Sequence, residues 1–427
     1  MPEPIHLSGT TLEGGGQLVR ICICLGVLTS TPIYITSIRG NRSGGGGLKS
    51  QHLTSIQWLA HASNAHVKGM GLKSKQLTFT PSPSATNAWE TETGGDITIK
   101  QSTPGSVTLV LQAILPYILF TTTTPIRIRL TGGTNVSNSP SVDYIEQVLI
   151  PILSLIGVPP ITSKIHARGW SQGGTSLGGV TYTVNPFPPS PSPGSPKLPT
   201  FNLTERGDIV SVHATIIAPS SYEHPLTKHL NTVLTSASVL CDLSPTALKT
   251  IPEIQTTTSF TPSHHPKRIY LLLVATTSTG IKLGHDWLYD RRIDVTSPID
   301  SIVESLVAKV VQGLLREVRH GGCVDEWMRD QIVVFQALAG GVCGVHGGRR
   351  RRKKENGDEE EGTLEPSLHA RTAMWVAEQI LGVKFDAENG TCVGVGFAGD
   401  ARMREEEETD HIDVVGTLTQ DMARVEL

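Results

Sequence analysis

Residues Glu13 to Arg20 read EGGGQLVR, a carboxylate, three glycines, an amide and a guanidinium in one short stretch. Glycines ahead of a helix leave backbone N–H groups free, and the helix dipole favours an anion there. Apolar residues follow at Leu18, Ile21, Cys22 and Leu25, the spacing of one helical face. Glu13, Gln17 and Arg20 fall on another line, at i, i+4 and i+7. Arg20 would add a charged fork, and Glu13 could hold a metal. No Gly-Lys-Ser/Thr follows, so this is not a Walker loop, and it is not G-x-G-x-x-G. On its own the stretch suits a plain turn as well as a phosphate cradle.

A second block tips the balance. SIRGNRSGGGGLKSQHL (37–53) follows a strand-like run and sets Arg39, Arg42, Lys49, Gln51 and His52 around another glycine run. Arginines at a strand end beside glycines suit a bidentate grip on phosphate. A basic solvated loop would explain one such block; two within 40 residues are harder to explain that way.

These residues need elements to hold them. PIYITSIRG, QLTFTPS, DITIK and PIRIRL have strand character, and SQHLTSIQWLAHAS has helical spacing. SVTLVLQAILPYILF reads as a buried helix, interrupted by Gln112 and Pro116 and short of the ~20 apolar residues of a membrane span. DYIEQVLIPILSLIG, SIVESLVAKVVQGLLREV and VDEWMRDQIVVFQALAG are amphipathic helix candidates. The pattern predicts an α/β (α+β) chain of several strand-and-helix units, without a strict sequence repeat. NPFPPSPSPGSPKLPT (185–200) carries seven prolines and reads as an extended linker. After it, about 200–285 reads as a separate inserted unit. GGRRRRKKENGDEEEG (347–362) joins a basic to an acidic block with no apolar residue between them. It is expected to be a disordered loop, and RRRRKK would also serve as a nuclear import signal.

At 427 residues the chain is too long for one ordinary core, and 38% apolar residues suffice for packed interiors. A net charge of −3 confines any polyanion site to a local patch, and 5% aromatics argue against a broad base-stacking surface. The six cysteines are scattered with no C-x-x-C pair, which argues against a zinc knuckle and suits a reducing compartment. MPEPIHLSGT lacks the basic start and apolar core of a signal peptide. A soluble intracellular protein is expected.

EGGGQLVR, IRGNR…GGLKSQHL, GSVTLVLQAILP, GGTNVSNSPSVDY and VDEWMRDQ stand in the order seen in the RNA 3'-terminal phosphate cyclases. The resemblance runs from about residue 8 to 185 and again from about 290 to 390. It implies a core of three repeats, each a β-sheet backed by two helices, with a small α/β domain inserted. The implied layout is a repeat core at 1–185 and 291–427, with linker and insert at 186–290. The implied chemistry uses ATP and a divalent metal, Mg2+ or Mn2+. A histidine takes AMP from ATP, passes it to the terminal 3'-phosphate of RNA, and the neighbouring 2'-hydroxyl then closes a 2',3'-cyclic phosphate.

Among 15 histidines, His369 in EPSLHARTAMWVAEQILGV matches the family's nucleophile. Ser367 would cap that helix, so the dipole would disfavour the imidazolium and keep a free lone pair. Glu13 matches the acidic residue near metal and triphosphate, and Arg20, Arg39, Arg42 and Gln51 match phosphate-contacting positions, with Gln17 in the same line. Gln112 and Pro140 match positions lining the nucleotide pocket. Trp327, Asp330 and Gln331 match its other wall, with Trp327 standing where the family usually has His or Tyr; stacking on adenine survives that change. The sequence departs from the family in a longer glycine run after Arg42, a loosened RGWSQGGTSLGG turn, the charged insertion, and Ala370 and Arg371 beside the histidine.

Three other readings compete. Cyclase-like scaffold proteins of ribosome assembly lack the histidine and the glycine signature, both kept here. An enolpyruvyl transferase would need neither the histidine nor the QHL block. A plain RNA-binding module fits poorly with the low aromatic count. Expected partners are RNA 3'-phosphate ends held by phosphate grips, with no DNA-specific site and no membrane. A homodimer is left open, and the nucleus, with the cytoplasm as a second site, is the expected location.

Overall fold

The computed structural model describes residues 2–82, 88–190, 192, 194–243, 253–293, 298–353 and 359–399. The repeat hidden in the sequence shows in the strand pairing. The first unit runs β1 (Ile5–Ser8), α1 (Gly16–Leu28), β2 (Ile33–Thr36), α2 (Ser50–Ala62), β3 (His66–Lys68) and β4 (Leu77–Thr80). Its sheet order is β1-β2-β4-β3, with β1 and β2 parallel and the other pairs antiparallel. After α3 (Ala88–Thr93), the second unit runs β5 (Asp96–Lys100), α4 (Val107–Thr121), β6 (Ile126–Gly132), α5 (Val142–Tyr144), a π turn at Ile145–Leu149, α6 (Ile150–Leu155), β7 (Ile161–Ala167) and β8 (Gly178–Val184). Its order, β5-β6-β8-β7, is the same.

The third unit opens with β9 (Asn202–Leu203) and is then interrupted. The insert comprises β10 (Ile209–Ala218), α7 (Glu223–Leu234), α8 (Ala237–Leu243), β11 (Gln255–Pro262), β12 (Tyr270–Thr277), β13 (Lys282–Leu288) and α9 (Ile299–Arg319). It has its own sheet, β11-β10-β12-β13. The third unit resumes with α10 (Glu326–Leu338), β14 (Gly340–Val345), the hairpin β15 (Arg349–Lys353) and β16 (Glu359–Thr363), α11 (Leu368–Leu381), β17 (Phe385–Asp386) and β18 (Thr391–Val395). Its order β9-β14-β18-β17 repeats the first two, again with one parallel pair.

This pairing moves the expected boundaries. Asn202–Leu203 belongs to the third unit because it pairs with β14. Helix α9, expected in the last part of the repeat core, packs on β12, β13 and α7 and belongs to the insert. Its apolar stripe, among it Ile302, Leu306, Val310 and Leu314, is buried there. The insert therefore spans 209–319 by its elements. Its two ends meet, since the His346 N–H donates to Leu203 O and the Cys323 N–H donates to His346 O.

Two other expectations change. The proline segment is extended but docked: Phe187 packs on Phe120 at 4.7 Å between ring centres, Leu198 is buried, and Lys197 Nζ donates to Phe120 O. Two apolar anchors among the prolines suffice to dock it. In the charged segment, β15 and β16 pair antiparallel, with a register that sets Arg351 opposite Glu361 and Arg352 opposite Glu360. Residues 354–358 lie outside the described residues.

The helices that carry the site lie inside. α1 is apolar on every side after Arg20 and packs against α2, α4 and α11. α4 is equally enclosed. Among the described residues, no helix is long and apolar enough to cross a membrane.

Candidate active site

The glycines of EGGGQLVR are needed where they stand. Gly14 has φ +57° and sits against the Asn41 side chain. Gly15 caps α1 without a side-chain bond, and Gly16, its first residue, lies so close to His52 Nε2 that a Cβ would collide with it. A helix start thus comes within reach of the loop after β2, with its N–H groups free.

The start of α11 meets it. Ser367 Oγ caps α11 by accepting the Ala370 N–H at 3.2 Å, as its sequence suggested. One turn in, Thr372 Oγ1 accepts the Glu13 N–H at 3.2 Å. His369 Nε2 lies 3.7 Å from Glu13 Oε1. The imidazole is 43% exposed and the Glu13 carboxylate only 5%, so the ring can meet an incoming phosphorus while the acid stays enclosed.

Cations surround this pair. Arg42 Nη2 donates to Glu13 Oε1. Arg39, in a left-handed conformation at φ +56°, donates from Nη1 to Gly47 O at 3.1 Å and lies in the electrostatic field of both Glu13 and Arg42. Arg20 is buried; its Nε donates to Gln112 Oε1 at 3.1 Å and its Nη2 to Gln17 Oε1. Burial lowers Arg20 to about 10, against the opposing pull of Asp330 and Glu13, and leaves it charged. Asp330, buried beside it, is raised to about 7, first by burial, with Arg20 pulling the other way.

Two buried polar atoms here have no partner: Glu13 Oε2 and Gln17 Nε2. A free carboxylate oxygen beside three arginines is a fitting ligand for one hard divalent ion that takes its other ligands from phosphate and water. Among the described residues no three His, Cys, Asp or Glu side chains group to form a complete metal cage. The residues therefore fit a metal held partly by Glu13 and partly by a phosphorylated substrate.

His369 is held neutral. Burial lowers its pKa first, Arg20 and Arg42 lower it further, and Glu13 and Glu326 oppose them. A neutral imidazole beside arginines is a nucleophile whose target is an anionic phosphorus.

The remaining candidates line α4 and α10. Gln51 Oε1 accepts the Ser106 N–H at 3.2 Å, and Pro140 O accepts Thr108 Oγ1 at 2.7 Å, so both fix the start of α4 one turn before Gln112. Gln331 shares an apolar recess with Gln112, Pro116, Leu149 and Phe335, and its Nε2 donates to Trp327 O at 3.0 Å. Trp327 stands in the first turn of α10, half-buried. Thus Glu13, Gln17, Arg20, Arg42, Gln112 and His369 are joined by direct contacts, whereas Gln51, Pro140, Trp327 and Gln331 shape the flanking walls, with Asp330 coupled to Arg20 only through the electrostatic field.

Sequence reading gave no role to His52, Thr372 or Asp325. His52 is buried, and its Nδ1 accepts the Lys49 N–H at 3.2 Å. Burial and nearby arginines keep it neutral, so its proton sits on Nε2, aimed at the start of α1. Thr372 is three residues after His369, a spacing that puts both on one side of a helix and could have flagged it.

Three βαβαββ units that bring a glycine-opened and a histidine-opened helix end together among arginines define a phosphate-handling α+β protein. The family model of the RNA 3'-terminal phosphate cyclases matches residues 11–387, and the chain belongs to that family. It is 30% identical over 404 residues to a Drosophila melanogaster protein named RNA 3'-terminal phosphate cyclase, covering 92% of this chain and 97% of that relative. A Pyrococcus furiosus protein of the same name is 29% identical over 399 residues, covering 93% and 98%. One from Pyrococcus abyssi is 29% identical over 384 residues, covering 90% and 95%.

Proposed function

We propose that the protein converts an RNA 3'-terminal phosphate to a 2',3'-cyclic phosphate at the expense of ATP, with His369 as the covalent nucleophile. The observation that carries this reading is the meeting of His369 Nε2 with the enclosed Glu13 carboxylate at two helix N-termini, ringed by Arg20, Arg39 and Arg42. Two converging N-termini and three arginines suit a triphosphate. The neutral imidazole attacks the α-phosphorus of ATP; the P–N bond forms as the bond to pyrophosphate breaks. Arginines offset charge on the equatorial oxygens. A divalent ion, when bound at Glu13, would supply further neutralisation of the phosphates. AMP then passes to the RNA 3'-phosphate and frees the histidine. The adjacent 2'-hydroxyl displaces AMP from that phosphate and closes the ring.

The test is direct. The purified protein, incubated with ATP labelled at the α-phosphate and magnesium or manganese, is expected to carry acid-labile label that His369→Ala lacks. A folded wild type that takes no label with either metal would overturn the reading. Label surviving in His369→Ala would move the nucleophile elsewhere.

A further inference from the structure

The N-cap of α10 is tied more heavily than a helix start requires. Asp325 Oδ1 accepts the Met328 N–H at 2.9 Å, which is the ordinary cap. The same oxygen accepts the Tyr144 hydroxyl at 2.5 Å, from the second unit. Oδ2 accepts the Gly284 N–H at 2.7 Å, from β13 of the insert. Asp325 is 1% exposed, so donors from three parts of the chain take the place of its water. The packing is close, since a Cβ on Gly284 would stand 2.9 Å from the Tyr144 ring. Two residues along β13, Asp286 accepts the Tyr270 hydroxyl at 2.9 Å, and Ser141 Oγ lies 2.6 Å from the same hydroxyl. All of this converges on the turn of α10 that carries Trp327, with Asp330 and Gln331 one turn further on.

We propose that Asp325 is a positioning residue for the nucleotide wall, and that Tyr144 and the insert's Gly284 N–H fix the first turn of α10 through it. The inference rests on the reading of Trp327, Asp330 and Gln331 as that wall. Nothing in a helix cap calls for the second oxygen, and the insert supplies its donor from backbone, which fixes distance and direction together. With Trp327 read as the residue that stacks on adenine, the wall meets the nucleotide's base rather than the reacting phosphorus. Loosening it therefore weakens nucleotide binding and spares the chemical step.

The test uses Tyr144→Phe, which keeps the ring and removes one donor, and Asp325→Ser, which can still cap the helix but cannot reach Tyr144 and Gly284. Both are expected to raise half-saturating ATP in self-labelling about tenfold while the maximal rate stays within about twofold. Without nucleotide, the emission of Trp327, taken as the difference between each protein and its Trp327→Phe counterpart, is expected to shift in both variants. Wild-type half-saturation in Asp325→Ser would reduce Asp325 to a cap and overturn the proposal. So would unchanged Trp327 emission in the folded Tyr144→Phe protein, or a shifted emission with unchanged half-saturation. If the wild type takes no label at all, the proposed function falls, while the nucleotide-free emission still decides the positioning role.

Discussion

At the scale of single residues, the site depends on keeping His369 uncharged. Arg42 contributes in two ways: its own charge disfavours the imidazolium, and its bond to Glu13 mutes the carboxylate that would favour it. Arg42→Ala removes the first effect and releases the second, and both raise the pKa of His369. The acid limb of self-labelling in wild type is expected to lie below the ordinary histidine value of about 6.5, and in Arg42→Ala to move to higher pH, alongside a lower rate from the lost phosphate contact. Titration of the His369 ring by NMR checks the shift apart from activity; an unmoved or lowered pKa would refute it. Gly16 offers a second case, in which two effects oppose. An alanine in the first turn would favour the helix by about 1 kcal/mol. Its Cβ, however, would run into His52 Nε2, and His52 is buried and pinned through Nδ1, so it cannot step aside. Overpacking of this kind costs about 1–3 kcal/mol, so Gly16→Ala is expected to lower the unfolding midpoint and to suppress labelling. Local spacing made Glu13, Gln17, Arg20 and the capped His369 legible in the sequence. His52 and Asp325 were not, because their roles come from contacts with elements distant in the chain.

At the scale of elements, periodicity indicated β2, β4, β5 and β6 among the strands, and α2, α4 and α10 start and stop close to where the residues indicate. Periodicity did not indicate the reach of the insert, because an amphipathic helix such as α9 says that it has a buried face but not which sheet will bury it. The same holds for the Ser141–Tyr270–Asp286 circuit that joins the insert to the second unit. Burial raises the Asp286 carboxyl to about 7 from an ordinary 3.8, against the pull of its hydrogen bond from Tyr270. The folded protein therefore holds a proton there that the unfolded chain releases at lower pH. Stability from this group is full below the unfolded value and is lost as pH rises through about 7. Asp325, raised to about 6, has the same sign. Asp286→Asn is expected to shrink the loss of unfolding free energy between pH 5 and pH 8 by roughly 2 kcal/mol. Urea melts at the two pH values measure it, and an equal or steeper loss in the variant would contradict the assignment.

At the scale of the whole molecule, three units share one topology without sharing a sequence pattern that a single chain can reveal, because each keeps only the alternation its sheet and two helices need. The insert enters this scheme between the first strand and first helix of the third unit. Its stem is narrow: Leu203 O and the Cys323 N–H both meet His346, and Arg206 Nη1 donates to Val318 O at 2.5 Å. Geometrically, then, the insert could be removed at residues 206–321 and the ends rejoined by a short linker without disturbing β9 against β14. Energetically, excision would take away the Gly284 N–H from Asp325 and the cover of β13 over Tyr144, leaving a buried carboxylate under-satisfied and an aromatic face open to water. An unpaired acceptor of that kind costs about 1–3 kcal/mol, before any lost apolar burial. The shortened chain is expected to keep the three-unit core, to melt ~5–10 °C lower, and to need more ATP for half-maximal labelling while still labelling at His369. Labelling at wild-type half-saturation in a folded core would make the insert a detachable module with no part in the nucleotide wall. Failure to fold at all would place part of the core's stability in the insert, beyond what the contacts of Asp325 and Tyr144 account for.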